Sequence, residues 1–334
     1  MKLSEIGEFG FIERFKPLFT SLVKCSQVGI GDDCAVISSN DAEDWLVTTD
    51  LLMEDIHFIR NAITPDQLGY KSLAVNLSDI AAMGGTPVGS FLSIAIPPAV
   101  DVEYLDSFMK GYHELSAKYN TPLLGGDTTR SIKHIAINVC VLGKSLKGMA
   151  RRRNMAKPGD AVCVTGNLGD SAGGLHILLN NIPDSDSGRF LLQRHLKPEP
   201  KLNEGSFLSG NPDVHAMIDI SDGIASDLKH ILTSSGVAAQ INIDWLPLSE
   251  QLKNIGGQQG WNTIEMALGG GEDYELLFTV SQGILADIQK EFLVKFNTPV
   301  IHIGNIIEGT PKIHWLKDAI EVEMPIEGFN HFRI

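Results

Sequence analysis

Six short segments of this chain carry aspartate where an apolar run gives way to glycine or polar residues. They are Gly31-Asp32-Asp33, Thr48-Thr49-Asp50, Asn76-Leu77-Ser78-Asp79, Gly125-Gly126-Asp127, Asp219-Ile220-Ser221-Asp222 and Gly270-Gly271-Glu272-Asp273. Carboxylates that converge on one site repel one another and need a counter-charge. Oxygen-only ligands suit Mg²⁺ rather than zinc or copper. Glycine beside them lets backbone N–H groups approach an anion such as phosphate. The set points to a site where Mg²⁺ and a nucleoside triphosphate meet. A single aspartate of this kind also fits ordinary turn or helix-cap chemistry, so the repetition carries the reading.

The common phosphate signatures are missing. Gly143-Lys144-Ser145 ends like a P-loop, but Asn138 stands where the leading glycine belongs. Gly29-Ile30-Gly31 begins like a dinucleotide fingerprint, but Cys34 replaces its last glycine. No H-R-D or D-F-G set is present. Phosphoryl transfer here would need a different fold.

The elements that must position these residues alternate along the chain. Trp45–Thr49 reads as a strand ending at Asp50. Residues Asp66–Met83 read as a helix with Leu73, Leu77, Ile80 and Ala81 on one face, and Asn76 and Asp79 on a neighbouring one. Phe91–Ile96 is a strand stopped by Pro97-Pro98, Val102–Tyr119 a helix, and Ile135–Val141 a strand closing the first half. A basic, turn-like stretch from Lys144 to Lys157 follows, with Arg151 and Arg152 expected at the surface. The second half restarts with strand Ala161–Thr165 and a helix near Asp170. Strand Val214–Ile220 then leads into a helix carrying Ile224, Leu228, Ile231 and Leu232. The chain therefore reads as α+β or α/β, with an N-terminal domain at 1–148, a C-terminal domain at 149–334 and the site in the cleft between them.

At 334 residues, about two domains are expected. A net charge of -14 argues against a nucleic-acid footprint. The four cysteines show no C-x-x-C spacing and read as reduced, mostly buried thiols of a cytoplasmic protein. The N-terminus lacks an apolar signal core. Ile80–Val100 runs 21 residues without a charge. Its glycines and prolines read better as a helix end, a turn and a buried strand than as a membrane span.

The segments from Gly29-Ile30-Gly31-Asp32-Asp33 to Gly270-Gly271-Glu272-Asp273-Tyr274-Glu275, together with His57-Phe58 and Gly166 through Ser171, resemble the thiamine-monophosphate kinase family in order and spacing. The glycine–aspartate motifs alone resemble the wider aminoimidazole-ribonucleotide-synthetase-like superfamily, whose other members activate amide, carbamoyl or selenide substrates. The Gly-Gly-Glu-Asp-Tyr-Glu run and the His57-Phe58 pair favour the kinase. The resemblance extends from Gly7-Glu8-Phe9 to Gly328-Phe329-Asn330-His331-Phe332. A non-catalytic Mg²⁺- or Ca²⁺-binding protein is the reading from a different class.

The resemblance implies two αβ domains, the first pairing with its twin in a homodimer and carrying ATP and Mg²⁺, the second closing the cleft. It implies transfer of the γ-phosphoryl group of ATP to thiamine monophosphate, in line and assisted by several Mg²⁺ ions, with no role for a membrane or nucleic acid. It makes Asp33, Asp50, Asp79, Asp219 and Asp222 the catalytic aspartates. Thr48, Thr49 and Asp127 join them as metal ligands. Gly126, Asp127, Arg153 and Ser221 fall on ATP-binding positions, and His57, Glu272 and Phe329 on acceptor-binding positions. Ser221 and Asp222 are also expected to open a helix, where capping is compatible with phosphate binding.

Overall fold

Period-2 alternation builds the first sheet. In the computed structural model, which describes residues 3–180 and 182–325, β3 (Glu43–Met53) and β6 (Ala136–Leu146) turn alternate side chains inward. Leu46, Thr48 and Leu52 are buried from β3, and Ile137, Val139 and Val141 from β6. With β1 (Gln27–Val28), β2 (Ala35–Ser38), β4 (Thr86–Ile96) and β5 (Leu123–Arg130) the sheet runs β1-β2-β3-β6-β4-β5. All pairings are antiparallel except β4 with β5. Phe329 and the Gly328–Phe332 segment lie outside the described residues.

Several strands run past their expected ends: β4 starts at Thr86, and β6 continues to Leu146 because Lys144, Ser145 and Leu146 pair with β3, inside the stretch expected to be turn-like. β3 does not end before Asp50, because its ladder with β6 continues unbroken from Glu43 to Met53. Gly125-Gly126-Asp127 is not a turn but the middle of edge strand β5, paired with Phe91, Leu92 and Ser93. All eight β5 residues are exposed.

Helices α1 (Leu3–Thr20), α2 (Pro65–Ala82) and α3 (Val102–Lys118) complete this half. Proline at the first position of α2 suits a helix start, where its missing N–H is no loss. Leu73, Leu77, Ile80 and Ala81 are buried as their spacing predicts, but α2 is buried nearly all round. It packs on α3, on β3 and β6, and also on α6 and β8 of the second half. Gly111 permits the close crossing with α3, since a Cβ there would stand 1.7 Å from the carbonyl oxygen of Asp66.

The second sheet runs β13-β12-β9-β11-β7-β10-β8. Its strands are β7 (Asp160–Thr165), β8 (Val214–Asp219), β9 (Ala238–Asn242), β10 (Leu276–Ser281), β11 (Val300–Ile307), β12 (Ile313–Lys317) and β13 (Ile320–Val322). Its helices are α4 (Asp170–Asn180), α5 (Asp186–Leu196), α6 (Leu202–Ser209), α7 (Ile224–Ser235), α8 (Glu250–Gln259), α9 (Thr263–Gly269) and α10 (Leu285–Phe296). β7 and β8 are buried at every residue, and the polar side chains they carry inside are paired: His215 Nδ1 lies 2.9 Å from Asp160 Oδ2. Ile224, Leu228, Ile231 and Leu232 of α7 form its buried face.

Arg151 is not at the surface. It is 5% exposed, and its guanidinium donates to the carbonyls of Ser209 (2.6 Å) and Asn211 (2.9 Å), tying the connection between the sheets to the end of α6. All four cysteines are free thiols, but only Cys34 and Cys163 are buried; Cys140 is half-buried and Cys25 exposed. Among the described residues no helix is long and apolar enough to cross a membrane.

Candidate metal–nucleotide site

Asp33 precedes β2, Asp79 stands near the end of α2, and Asp219 closes β8. These elements meet where the two sheets face α2. One carboxylate oxygen from each of the three lies within 4.8 Å of the others. Asp50 joins them on the inward face of β3, its backbone N–H donating to Asn76 Oδ1 at 3.1 Å. Thr48, on the same face, donates its hydroxyl to Asp79 Oδ2. Ser78 donates to Asp219 Oδ2 at 2.5 Å.

Burial first, and then mutual repulsion, raises the proton affinity of this group. Asp219 is pushed up to about 7 by burial and by Asp33, and Asp50 to about 6 by burial and by Asp33. Burial, Asp50 and Asp219 raise Asp79 well above the usual carboxylate range. Burial raises Asp33 too, against the opposing effect of Arg153. The Cys34 thiol beside them is driven up by burial and all four carboxylates, so it remains protonated and is no nucleophile.

Arg153 supplies positive charge. Its guanidinium pairs with Asp33, and its backbone N–H donates to Asp32 Oδ1 at 2.8 Å. Asp33 Oδ2 and Arg153 Nε are nevertheless buried without hydrogen-bond partners. An orphaned acceptor inside a carboxylate cluster and an orphaned donor at its edge fit a divalent cation and an anionic ligand respectively.

Ser221 and Asp222 sit just beyond β8. They do not open the helix: α7 begins at Ile224 with Gly223 (φ 101°) as its N-cap and no side-chain cap. The turn is held from both sides. Asp222 N–H donates to Asp227 Oδ2 at 3.3 Å, and Ser221 O accepts from Glu272 N–H at 2.8 Å. That second bond places Glu272, on the loop entering β10, directly beside the Ser221-Asp222 turn. His57 follows β3 and accepts the Met53 N–H at Nδ1 (3.0 Å), which leaves its ring proton on Nε2 when neutral. Burial raises the Glu272 carboxylate, but the Lys71 ammonium, by its charge and its hydrogen bond, outweighs it and holds the group below the usual range.

Two expected residues lie elsewhere. Thr49 is on the outward face of β3, where Asn138 Nδ2 donates to its hydroxyl at 2.8 Å. Asp127 pairs with Ser93, Ser93 with Asn138, and Asn138 with Leu51. Laterally paired residues share a face, so Asp127 also points outward. It stands three strands from β3, roughly 14 Å at about 4.8 Å per strand. Within one chain Asp127 does not reach the cluster. Lys71, His195 and Asp227 were not singled out from sequence, although a lone lysine among the apolar residues of α2 was a visible signal.

The proton affinities predict how Mg²⁺ acts on stability. Between the ordinary value of 3.8 and the raised folded values, the folded protein holds more protons than the unfolded chain. Without cation, these groups therefore contribute less stability as pH climbs through that window. Mg²⁺ needs ionised ligands and relieves the repulsion, so its increment in Tm should be larger at pH 8 than at pH 5. Equal increments in a thermal melt at both pH values would mean that the cation binds somewhere else.

Two protein-family models match: AIR synthase related protein, N-terminal domain, over residues 31–145, and AIR synthase related protein, C-terminal domain, over 157–314. The thiamine-monophosphate kinase of Buchnera aphidicola subsp. Acyrthosiphon pisum is 40% identical over 314 residues, covering 91% of this chain and 92% of the relative. That of Salmonella typhimurium is 37% identical over 332 residues, 98% of each. A solved structure of AaThiL complexed with AMPPCP and TMP superposes with a TM-score of 0.85 at 34% identity, covering 99% of both chains.

Proposed function

The chain belongs to the thiamine-monophosphate kinase family, and we propose that its carboxylate cluster performs that family's reaction as a direct transfer between two phosphates. The enzyme uses ATP to phosphorylate thiamine monophosphate, yielding thiamine diphosphate and ADP. An oxygen of the acceptor phosphate attacks the γ-phosphorus, and the bond to the β-phosphate oxygen breaks with its electron pair leaving on ADP. The acceptor is a phosphate monoester whose second pKa is near 6, so it is already largely dianionic and needs no strong general base. The difficulty is to align two highly charged groups, and positioning with electrostatic stabilisation does most of the catalysis.

The observation that carries this reading is the convergence of Asp33, Asp79 and Asp219 within 4.8 Å, one backbone bond away from Glu272 through Ser221. Asp33, Asp50, Asp79, Asp219 and Asp222, with Thr48, would hold Mg²⁺, which supplies the positive charge that lets polyphosphate oxygens approach this acidic pocket. Arg153 and the Ser221 turn contact the triphosphate. His57 and Glu272 bind the acceptor, and Phe329 is proposed with them from its sequence position alone. The compartment we propose is the cytoplasm.

Gly126 and Asp127 fit this scheme through a second copy of the chain. The outward face of the first sheet exposes Ile37, Leu51 and Phe91, and among the described residues no strand pairs with the outer edge of β5 beside Leu123 and Leu124. Large exposed apolar patches and open strand edges invite pairing. We place a twofold dimer interface there, with Gly126 and Asp127 of one copy serving the nucleotide held by the other. An equimolar mixture of inactive Asp127→Asn and Asp79→Asn proteins, unfolded and refolded together, should then regain about a quarter of wild-type activity, since half the dimers carry one intact site. No recovery from a mixture shown to contain mixed dimers would put Asp127 outside the partner's site.

Purified protein incubated with ATP, Mg²⁺ and thiamine monophosphate should form thiamine diphosphate and ADP in equal amounts. ATP chiral at the γ-phosphorus should show inversion. Absence of thiamine diphosphate would end the functional reading. Net retention, or a phosphoenzyme that the acceptor discharges, would end the direct-transfer mechanism.

A further inference from the structure

Lys71 stands in the middle of α2 and is only 1% exposed. A buried ammonium persists only with a partner, and this one finds it across the cleft: its Nζ is 2.8 Å from Oε2 of Glu272, 201 residues away. The same oxygen lies 3.2 Å from His195 Nδ1 on α5. Nδ1 is also 3.0 Å from Ser171 Oγ in the first turn of α4, which fixes the ring. Burial, and then the Lys71 charge, pushes His195 down to about 4, so above that pH it packs against Glu272 as a neutral ring.

The backbone of Glu272 is fixed independently. Its φ of 64° is in the left-handed region, and its N–H is bonded to Ser221 O. A side chain held at one oxygen by a buried ammonium and packed there against a buried imidazole, on a backbone held by the Ser221 turn, has little orientational freedom left. Both contacts fall on Oε2, which leaves Oε1 to a ligand.

We propose that Lys71 and His195 are positioning residues for acceptor recognition: they secure Glu272 Oε2 so that Oε1 accepts a hydrogen bond from the aminopyrimidine of thiamine monophosphate. This rests on the reading of Glu272 as an acceptor-binding residue. It also separates the two roles open to that residue. With its charge balanced by Lys71, Glu272 recognises the amine by hydrogen bonding and is not the counter-ion of the thiazolium ring. A plain strut between the two halves would look similar in a melting curve but not in substrate kinetics.

The test is steady-state kinetics and thermal melting of Lys71→Met, Glu272→Ala and the charge-balanced double variant Lys71→Met/Glu272→Gln. Lys71→Met should raise the KM for thiamine monophosphate about tenfold to a hundredfold, the range for losing a charged hydrogen-bond arrangement, with the KM for ATP within about twofold. The double variant keeps a carbonyl oxygen and removes the charge that needed Lys71, so it should recover most of the acceptor KM. Equal loss for ATP and acceptor, or a normal acceptor KM in Lys71→Met beside a defective Glu272→Ala, would overturn the positioning role. An unchanged acceptor KM in Glu272→Ala would instead remove the underlying assignment of Glu272. If Lys71→Met does not fold, the double variant decides alone: near-normal acceptor KM supports the role, and a loss as large as in Glu272→Ala overturns it.

Discussion

Replacing Asp79 by Asn is expected to lower kcat by about 10²–10³, the range for removing one preorganised electrostatic contact at a reacting centre, without unfolding the protein. Asp79 shares the cluster with Asp33 and Asp219 and lies closest in charge to Asp50 and Asp219. Asn has the same shape, and its carbonyl oxygen can still accept the Thr48 hydroxyl. What disappears is one unit of negative charge at a site that must bind cations and, through them, two phosphates. In the absence of Mg²⁺ the variant should melt at the same temperature as wild type or higher, because a buried like-charge contact has been relieved. Turnover and metal-free Tm measured on one preparation check both halves. Normal turnover at ordinary Mg²⁺ concentrations would remove Asp79 from the metal set.

Arg153→Met should produce the largest loss of stability, and Mg²⁺ should largely reverse it. The guanidinium pairs with an Asp33 carboxylate that is only 2% exposed, while the Arg153 side chain itself is 19% exposed. The backbone at this position is held separately: N–H to Asp32 Oδ1 at 2.8 Å, and carbonyl accepting from Ser235 Oγ at 2.8 Å. The substitution therefore removes charge while the chain path stays. Breaking one side of a buried pair typically costs about 3–5 kcal/mol, because the other charge is left uncompensated. Mg²⁺ on Asp33 replaces that compensation, so Tm should fall sharply in a chelator and recover with the metal. The KM for ATP should rise in both cases, since the orphaned Nε is lost as a phosphate donor. A Tm loss indifferent to Mg²⁺, with unchanged KM for ATP, would leave Arg153 as a structural pair only.

What could be read from the chain alone was local. The 3.6 period of Leu73, Leu77, Ile80 and Ala81, and a proline-bounded apolar run such as Phe91–Ile96, follow from sterics within a few residues, so α2 and the body of β4 were legible. The chemistry was legible as residue types: aspartate beside glycine, repeated, with no standard phosphate loop. Boundaries failed where pairing overrides propensity. Asp50 reads as a strand end and Gly125-Gly126-Asp127 is turn-like in composition, yet β6 carries β3 on to Met53 and β4 holds the glycines in a strand. The run Arg151-Arg152-Arg153 looks solvated, but one arginine is buried on α6 carbonyls and another on Asp33. The tertiary structure alone decided which aspartates meet. Asp33 and Asp219 are 219 − 33 = 186 positions apart, and Lys71 and Glu272 are 201 apart. It also decided which face each ligand occupies, sending Thr48 inward and Thr49 and Asp127 outward. Such contacts depend on how the two sheets close around α2, and no local preference encodes that closure, because its free energy arises only when distant surfaces are buried together.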